Sequence, residues 1–106
     1  MKLGIVIYSE DTEVVFNAFR LGNFALQKGD SVNTFLLAKG VECESLSTKK
    51  FNISEQMHTF IDEGGEIKAC GTCLKLRNQE ESKICPLSTM QDLYDMIKQS
   101  DKVISF

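Results

Sequence analysis

Cys70 and Cys73, in the run Ala69-Cys70-Gly71-Thr72-Cys73, are the residues of this chain best suited to covalent chemistry. The alternating stretch Glu66-Ile67-Lys68-Ala69 before them reads as a strand, and Leu74-Lys75-Leu76-Arg77 after them can start a helix. A helix start offers free backbone N–H groups and the positive end of a dipole, which favour a thiolate over a thiol. A thiolate attacks electrophilic sulfur and can hold an accepted sulfur atom as a persulfide. Cys70 is the expected nucleophile. Cys73 resolves the persulfide, pairs with Cys70 in a disulfide, or simply packs. Arg77 on the same short segment is placed to stabilise an anion or to bridge subunits.

Other chemistry is less well supplied. Cys70-x2-Cys73-x11-Cys85 makes three zinc ligands, with Cys43 or His58 as a fourth, but Cys85 lacks the close partner that zinc sites usually show. Cys43 and Cys85 read otherwise as plain small side chains, and His58 as a surface residue. No metal or cofactor is therefore expected. Ser9-Glu10-Asp11-Thr12, after the first apolar run, is acidic and lacks glycine, which argues against a nucleotide site. Carboxylates are plentiful, but none forms a convincing acid–base pair.

The elements that must position the two thiols alternate along the chain. Leu3 to Tyr8 is nearly all apolar, as suits a strand of a parallel sheet buried on both faces. Asp11 or Thr12 can cap a helix running to about Lys28, with Gly29 as its stop. Ser31 to Leu37 is a second strand, and Ala38 to Lys50 a long connection containing Cys43. Ser54 is the expected N-cap of a helix with Met57, Phe60 and Ile61 on its apolar face, ended by Gly64-Gly65. A polar loop follows at Asn78 to Lys83. Past Pro86, Ser88 with Gln91 fits a capping box for a last helix, with Met90, Leu93, Tyr94 and Ile97 in one stripe. Lys102 to Phe106 is the final strand. The pattern predicts one domain over residues 1–106, a parallel sheet with helices on both faces joined by right-handed crossovers. Ligands of such a sheet gather at the carboxyl ends of the strands, where Cys70, Ser9 to Asp11 and Ala38 to Cys43 all fall. Cys43 is thereby a candidate neighbour of Cys70.

Composition narrows the partners. With 106 residues the chain can build one core, and a net charge of −3 without any strongly basic segment argues against nucleic acid. Lys49-Lys50 reads as a solvated loop. No apolar run approaches the roughly 18 residues of a membrane span. The start of the chain does not read as a signal peptide, because its apolar part is short and acidic residues follow. A cytoplasmic location is expected, where cysteines are reduced, metal-bound or redox-active. In the first helix Val14, Val15, Ala18, Phe19, Leu21, Gly22, Ala25 and Leu26 share an apolar arc. Phe16 and Phe24 fall outside it, on either side of Arg20, which suggests a subunit contact, since interfaces favour aromatic residues and Arg.

Several pieces together resemble the DsrE/DsrF-like family, and its YchN-type proteins in particular, over essentially the full length. They are Gly4-Ile5-Val6-Ile7-Tyr8, Asn17-Ala18-Phe19-Arg20-Leu21, Phe51-Asn52-Ile53, Ala69-Cys70-Gly71-Thr72-Cys73 with Arg77, and Ser100-Asp101-Lys102-Val103-Ile104-Ser105-Phe106. The resemblance implies a three-layer α/β/α sandwich around a mainly parallel sheet of about five strands, and homo-oligomers, often trimers or hexamers. It also implies intracellular sulfur transfer between donor and acceptor proteins. The persulfide-carrying cysteine of the relay members matches Cys70, and the second cysteine of the YchN-type pattern matches Cys73. Where the family often has glycine after the arginine, this chain has Asn78. The expected function is a sulfur carrier or sulfurtransferase. The alternatives are a non-catalytic oligomeric binding protein with structural or metal-binding cysteines, and a dithiol redox protein.

Overall fold

The apolar run at the start of the chain becomes an inner strand of a parallel sheet. The computed structural model describes residues 1–78 and 86–106. The strands are β1 (Lys2–Ile7), β2 (Ser31–Leu36), β3 (Glu66–Cys70), β4 (Leu87–Ser88) and β5 (Lys102–Ser105). Their order across the sheet is β4-β3-β2-β1-β5, and every neighbouring pair is parallel. The helices are α1 (Thr12–Gln27), α2 (Ile53–Asp62), α3 (Gly71–Leu76) and α4 (Met90–Gln99), and a 3-10 helix spans Ala38–Leu46. Cys85 and most of the polar loop read at Asn78 to Lys83 lie outside the described residues.

Helices cover both faces of the sheet. A Cβ on Gly22 of α1 would meet the Phe60 ring of α2 and Cδ1 of Ile5. A Cβ on Gly4, the strand neighbour of Ile5, would meet Met96 and Ser100 at the α4 end. Successive strand residues point to opposite faces, so α1 and α2 share one face and α4 takes the other. The α1/α2 face holds the main core. Phe19 and Phe60 meet edge to face with centroids 5.7 Å apart, and Val15, Ile53, Met57 and Ile67 are also fully buried. Aromatic edge-to-face pairs of this kind contribute about 0.5–1.5 kcal/mol beyond area burial. The α4 face is thinner. Met90, Tyr94 and Ile97 remain exposed, as do Val103 and Ile104 on β5. Among the described residues no helix is long and apolar enough to cross a membrane.

Local sequence rules set most boundaries, with three shifts. Asp11 caps α1 by accepting the Val14 N–H at 3.0 Å, as expected. The α2 cap is Asn52 rather than Ser54, because the Asn52 side chain accepts the Glu55 N–H at 3.1 Å. The capping box before α4 is Thr89 with Asp92, one residue past Ser88 and Gln91, because Ser88 is taken up by pairing with Cys70. That pairing makes the two-residue β4, an edge strand that the sequence reading did not include. The connection after β2 is the third difference, since its first nine residues wind into the 3-10 helix.

The first helix also departs from its helical wheel. Val14 and Leu21 lie at the exposed margin, while Asn23 is buried, with its side-chain N–H groups donated to the backbone and side-chain oxygens of Gln56. Phe16 is half-buried against Phe51 of the same chain, 5.4 Å between centroids, so it is not a free contact residue. Arg20 donates to Asn17 Oδ1, and Phe24 stays more than half exposed.

Candidate functional site

Three segments leaving the carboxyl ends of β1, β2 and β3 meet at one edge of the sheet. The Leu37 N–H donates to the Ile7 carbonyl at 2.9 Å, which ties the end of β2 to the end of β1. Lys39 Nζ lies 3.1 Å from Glu10 Oε1, bridging the two following loops on the surface. The Ala38 N–H donates to Cys73 Sγ at 3.3 Å, which brings the loop after β2 onto α3.

Ala38 makes that bond from a left-handed backbone, φ 52°. Such a conformation disfavours any residue with a Cβ, by roughly 1–2 kcal/mol, and it gathers at functional sites when the surroundings enforce it. Here the enforcement is visible. The Gly40 N–H closes a turn on the Leu37 carbonyl at 2.9 Å, and Gly40 lies so close to the Ile7 carbonyl that a Cβ would collide with backbone. The turn therefore holds the Ala38 amide in place.

Cys70 is the N-cap of α3, and its own sulfur makes no cap hydrogen bond. The α3 helix is only six residues long. The amide that meets a cysteine sulfur is thus that of Ala38, and it serves Cys73, whereas the sequence pointed to helix-start amides serving Cys70. Cys70 is buried and Cys73 half-buried. Burial holds the Cys73 thiol above its ordinary pKa, and the neighbouring Cys70 adds to the rise; the Ala38 N–H and the Arg77 charge oppose it.

Arg77 closes the far side. Its Nε donates to Glu42 Oε2 at 3.3 Å and its Nη1 to the Cys73 carbonyl at 3.1 Å. It clamps the end of α3 to the 3-10 helix. Asn78 takes φ 52° and makes the left-handed turn that ends the helix. Beside α3 an open cleft of about 320 Å³ runs between Gly71, Thr72 and Lys75 on one side and Leu87 to Met90 on the other.

Cys43 does not join the pair. It is fully buried, and its S–H points to the Met57 thioether at 3.8 Å. Desolvation raises its pKa to about 12. His58 sits exposed on α2 with Nδ1 2.8 Å from the Ser54 carbonyl. Among the described residues no three His, Cys, Asp or Glu side chains gather as a metal would require. Sequence reasoning missed Ala38 and Glu42. The signal for Ala38 was the Gly40 turn just after a strand end; Glu42 carried none.

The model of the DsrE/DsrF-like family matches residues 1–106. This chain belongs to the DsrE/DsrF-like family. The uncharacterized protein MJ0989 of Methanocaldococcus jannaschii is 35% identical over 114 residues, covering 100% of both chains. The uncharacterized protein MK0008 of Methanopyrus kandleri is 35% identical over 100 residues, covering 89% of this chain and 83% of its own. Among solved structures, YchN of E. coli superposes with a TM-score of 0.79 at 18% identity, over 100% of both chains. MTH1491 of Methanobacterium thermoautotrophicum, a protein of unknown function, gives 0.78 at 10% identity, over 99% of this chain and 98% of that one. These structures share the family fold, a five-stranded parallel sheet between helices.

Proposed function

We propose that this protein is a sulfur-relay carrier that accepts sulfane sulfur on Cys70 and passes it on as a persulfide. The observation that carries the reading is the Cys70–Cys73 pair at the end of β3, with the Ala38 amide on the Cys73 sulfur and Arg77 on the Cys73 carbonyl, in a DsrE/DsrF-like chain. In the loading step the Cys70 thiolate attacks the outer sulfur of a donor persulfide R–S–SH. The donor S–S bond breaks, Cys70–S–SH forms and R–S⁻ leaves. An acceptor thiolate then attacks that outer sulfur and regenerates Cys70. Burial of Cys70 suits a labile persulfide, which is shielded until a partner docks. Leu87 and Met90, exposed where the cleft meets β4 and α4, offer apolar surface for donor and acceptor proteins. The relay operates in a reducing cytoplasm, where the thiols stay free. Self-association into a trimer or hexamer belongs to the same reading, with Arg20 and Phe24 on α1 as contact residues.

The test is peptide-level mass spectrometry after incubation with a low-molecular-weight persulfide. A mass gain of one sulfur atom on the Cys70 peptide, absent in Cys70→Ser, is the expected result. Unchanged sulfur uptake by Cys70→Ser refutes the reading.

A further inference from the structure

Resting on the carrier reading, the geometry points to Cys73 as an internal discharging thiol: when no acceptor takes the sulfur, Cys73 attacks Cys70 and releases the cargo as sulfide. Cys70 is the N-cap of α3 with extended backbone (φ −60°, ψ 116°), so Gly71, Thr72 and Cys73 are the first three helical residues. An N-cap side chain reaches toward the third helical residue, as it does in ordinary capping. Here that residue carries the second thiol, close enough in the fold for the two cysteines to influence one another electrostatically. At this spacing Cys73 lies one helical turn from the sulfur that Cys70 itself carries. An i, i+3 pair at a helix start is the arrangement in which two cysteines close a disulfide.

The step balances without any outside oxidant. Cys73–S⁻ attacks the inner sulfur of Cys70–S–SH, the inner–outer S–S bond breaks, and HS⁻ leaves. The Cys70–Cys73 disulfide forms as the two protein thiols lose two electrons to the sulfane sulfur, which becomes sulfide. The Cys73 proton goes to solvent or to the departing sulfide. A dithiol reductant then restores both thiols by exchange. Two groups prepare Cys73 to act as a thiolate. The Ala38 N–H donates to its sulfur, and Arg77, bonded to the Cys73 carbonyl, supplies positive charge nearby.

The experiment compares wild type with Cys73→Ser and Cys73→Ala after loading by glutathione persulfide, with no reductant added. Wild type is expected to release one equivalent of sulfide per chain and to yield a peptide pair linked Cys70–Cys73. Adding a dithiol makes release catalytic. Both variants are expected to keep one extra sulfur on Cys70 and release none. If wild type holds its Cys70 persulfide as long as the variants do, with neither disulfide nor sulfide, discharge is refuted while the carrier reading stands. If Cys70 takes up no sulfur even in the variants, the carrier reading itself falls.

Discussion

Cys43, on the 3-10 helix, and Cys73, on α3, lie on elements packed against one another, yet the fold treats their identical side chains in opposite ways. Cys43 is sealed under α2 with a thioether as its S–H acceptor, and its pKa is pushed up to about 12. Cys73 is half-buried at the sheet edge, with an amide donor on its sulfur, a guanidinium nearby and Cys70 one helical turn away. The two thiols differ in donors and access, the features that set thiol reactivity. The sharpest way to break the contrast is sulfur uptake. Cys70→Ser is expected to lose it entirely, whereas Cys43→Ala is expected to retain it in full. Persulfide found on the Cys43 peptide of the folded protein overturns the division.

The cost of Cys43 appears in stability instead. Replacing its side chain with Ser puts a hydroxyl where only a weak thioether acceptor waits, a loss of about 1–3 kcal/mol measurable by urea unfolding. The thiol also carries a pH signature. Above about pH 9 the unfolded chain loses the Cys43 proton, while the folded chain holds it up to about 12. The unfolded state then binds fewer protons, so stability falls as pH rises between those values. In Cys43→Ala that part of the fall is expected to vanish. An identical alkaline slope in the two proteins contradicts the buried, protonated thiol.

The two regions also differ in how far the sequence foretold them. The strand ending at Cys70, the capped α1 helix and the parallel α/β class follow from apolar period and cap chemistry, which are local properties. The Cys70–Cys73 pair was legible because its spacing is itself a local signal. What decides the behaviour of Cys73 was not legible, because Ala38 and Glu42 lie 35 residues away in sequence from their partners. Cys43 was a candidate neighbour of the pair for the same reason. Its loop does leave β2 at the correct sheet edge, but the unforeseen 3-10 winding turns it inward to Met57. The β4 strand escaped because two residues give no periodicity. Phe16 and Phe24 looked equivalent on a helical wheel, and only the tertiary contact with Phe51 separates them.

Gly40 tests the amide side of the comparison with a smaller effect. In Gly40→Ala the new Cβ meets the Ile7 carbonyl, which is backbone and cannot swing aside. The turn must shift, at about 1–3 kcal/mol as in other overpacked sites, and the Ala38 N–H moves off Cys73. The expected result is normal loading of Cys70 with slower release of sulfide. Discharge at the wild-type rate in a destabilised Gly40→Ala protein separates the amide from the chemistry.

The smallest effects come from the Arg77–Glu42 pair. Both side chains are partly solvated, so breaking the pair changes stability by only about 0–1 kcal/mol. Their influence on Cys73 nevertheless has a sign. Arg77 favours the Cys73 thiolate, and Glu42, held 3.3 Å from Arg77 Nε, offsets part of that positive charge. Removing the carboxylate in Glu42→Gln is expected to lower the Cys73 pKa and speed its alkylation at fixed pH. Removing the cation in Arg77→Gln is expected to do the reverse. Each shift is below one pKa unit, so the rates change by less than about tenfold. The two substitutions break the same ion pair, so a purely structural role for it moves both rates in one direction. Opposite shifts arise only if the charge itself reaches the sulfur.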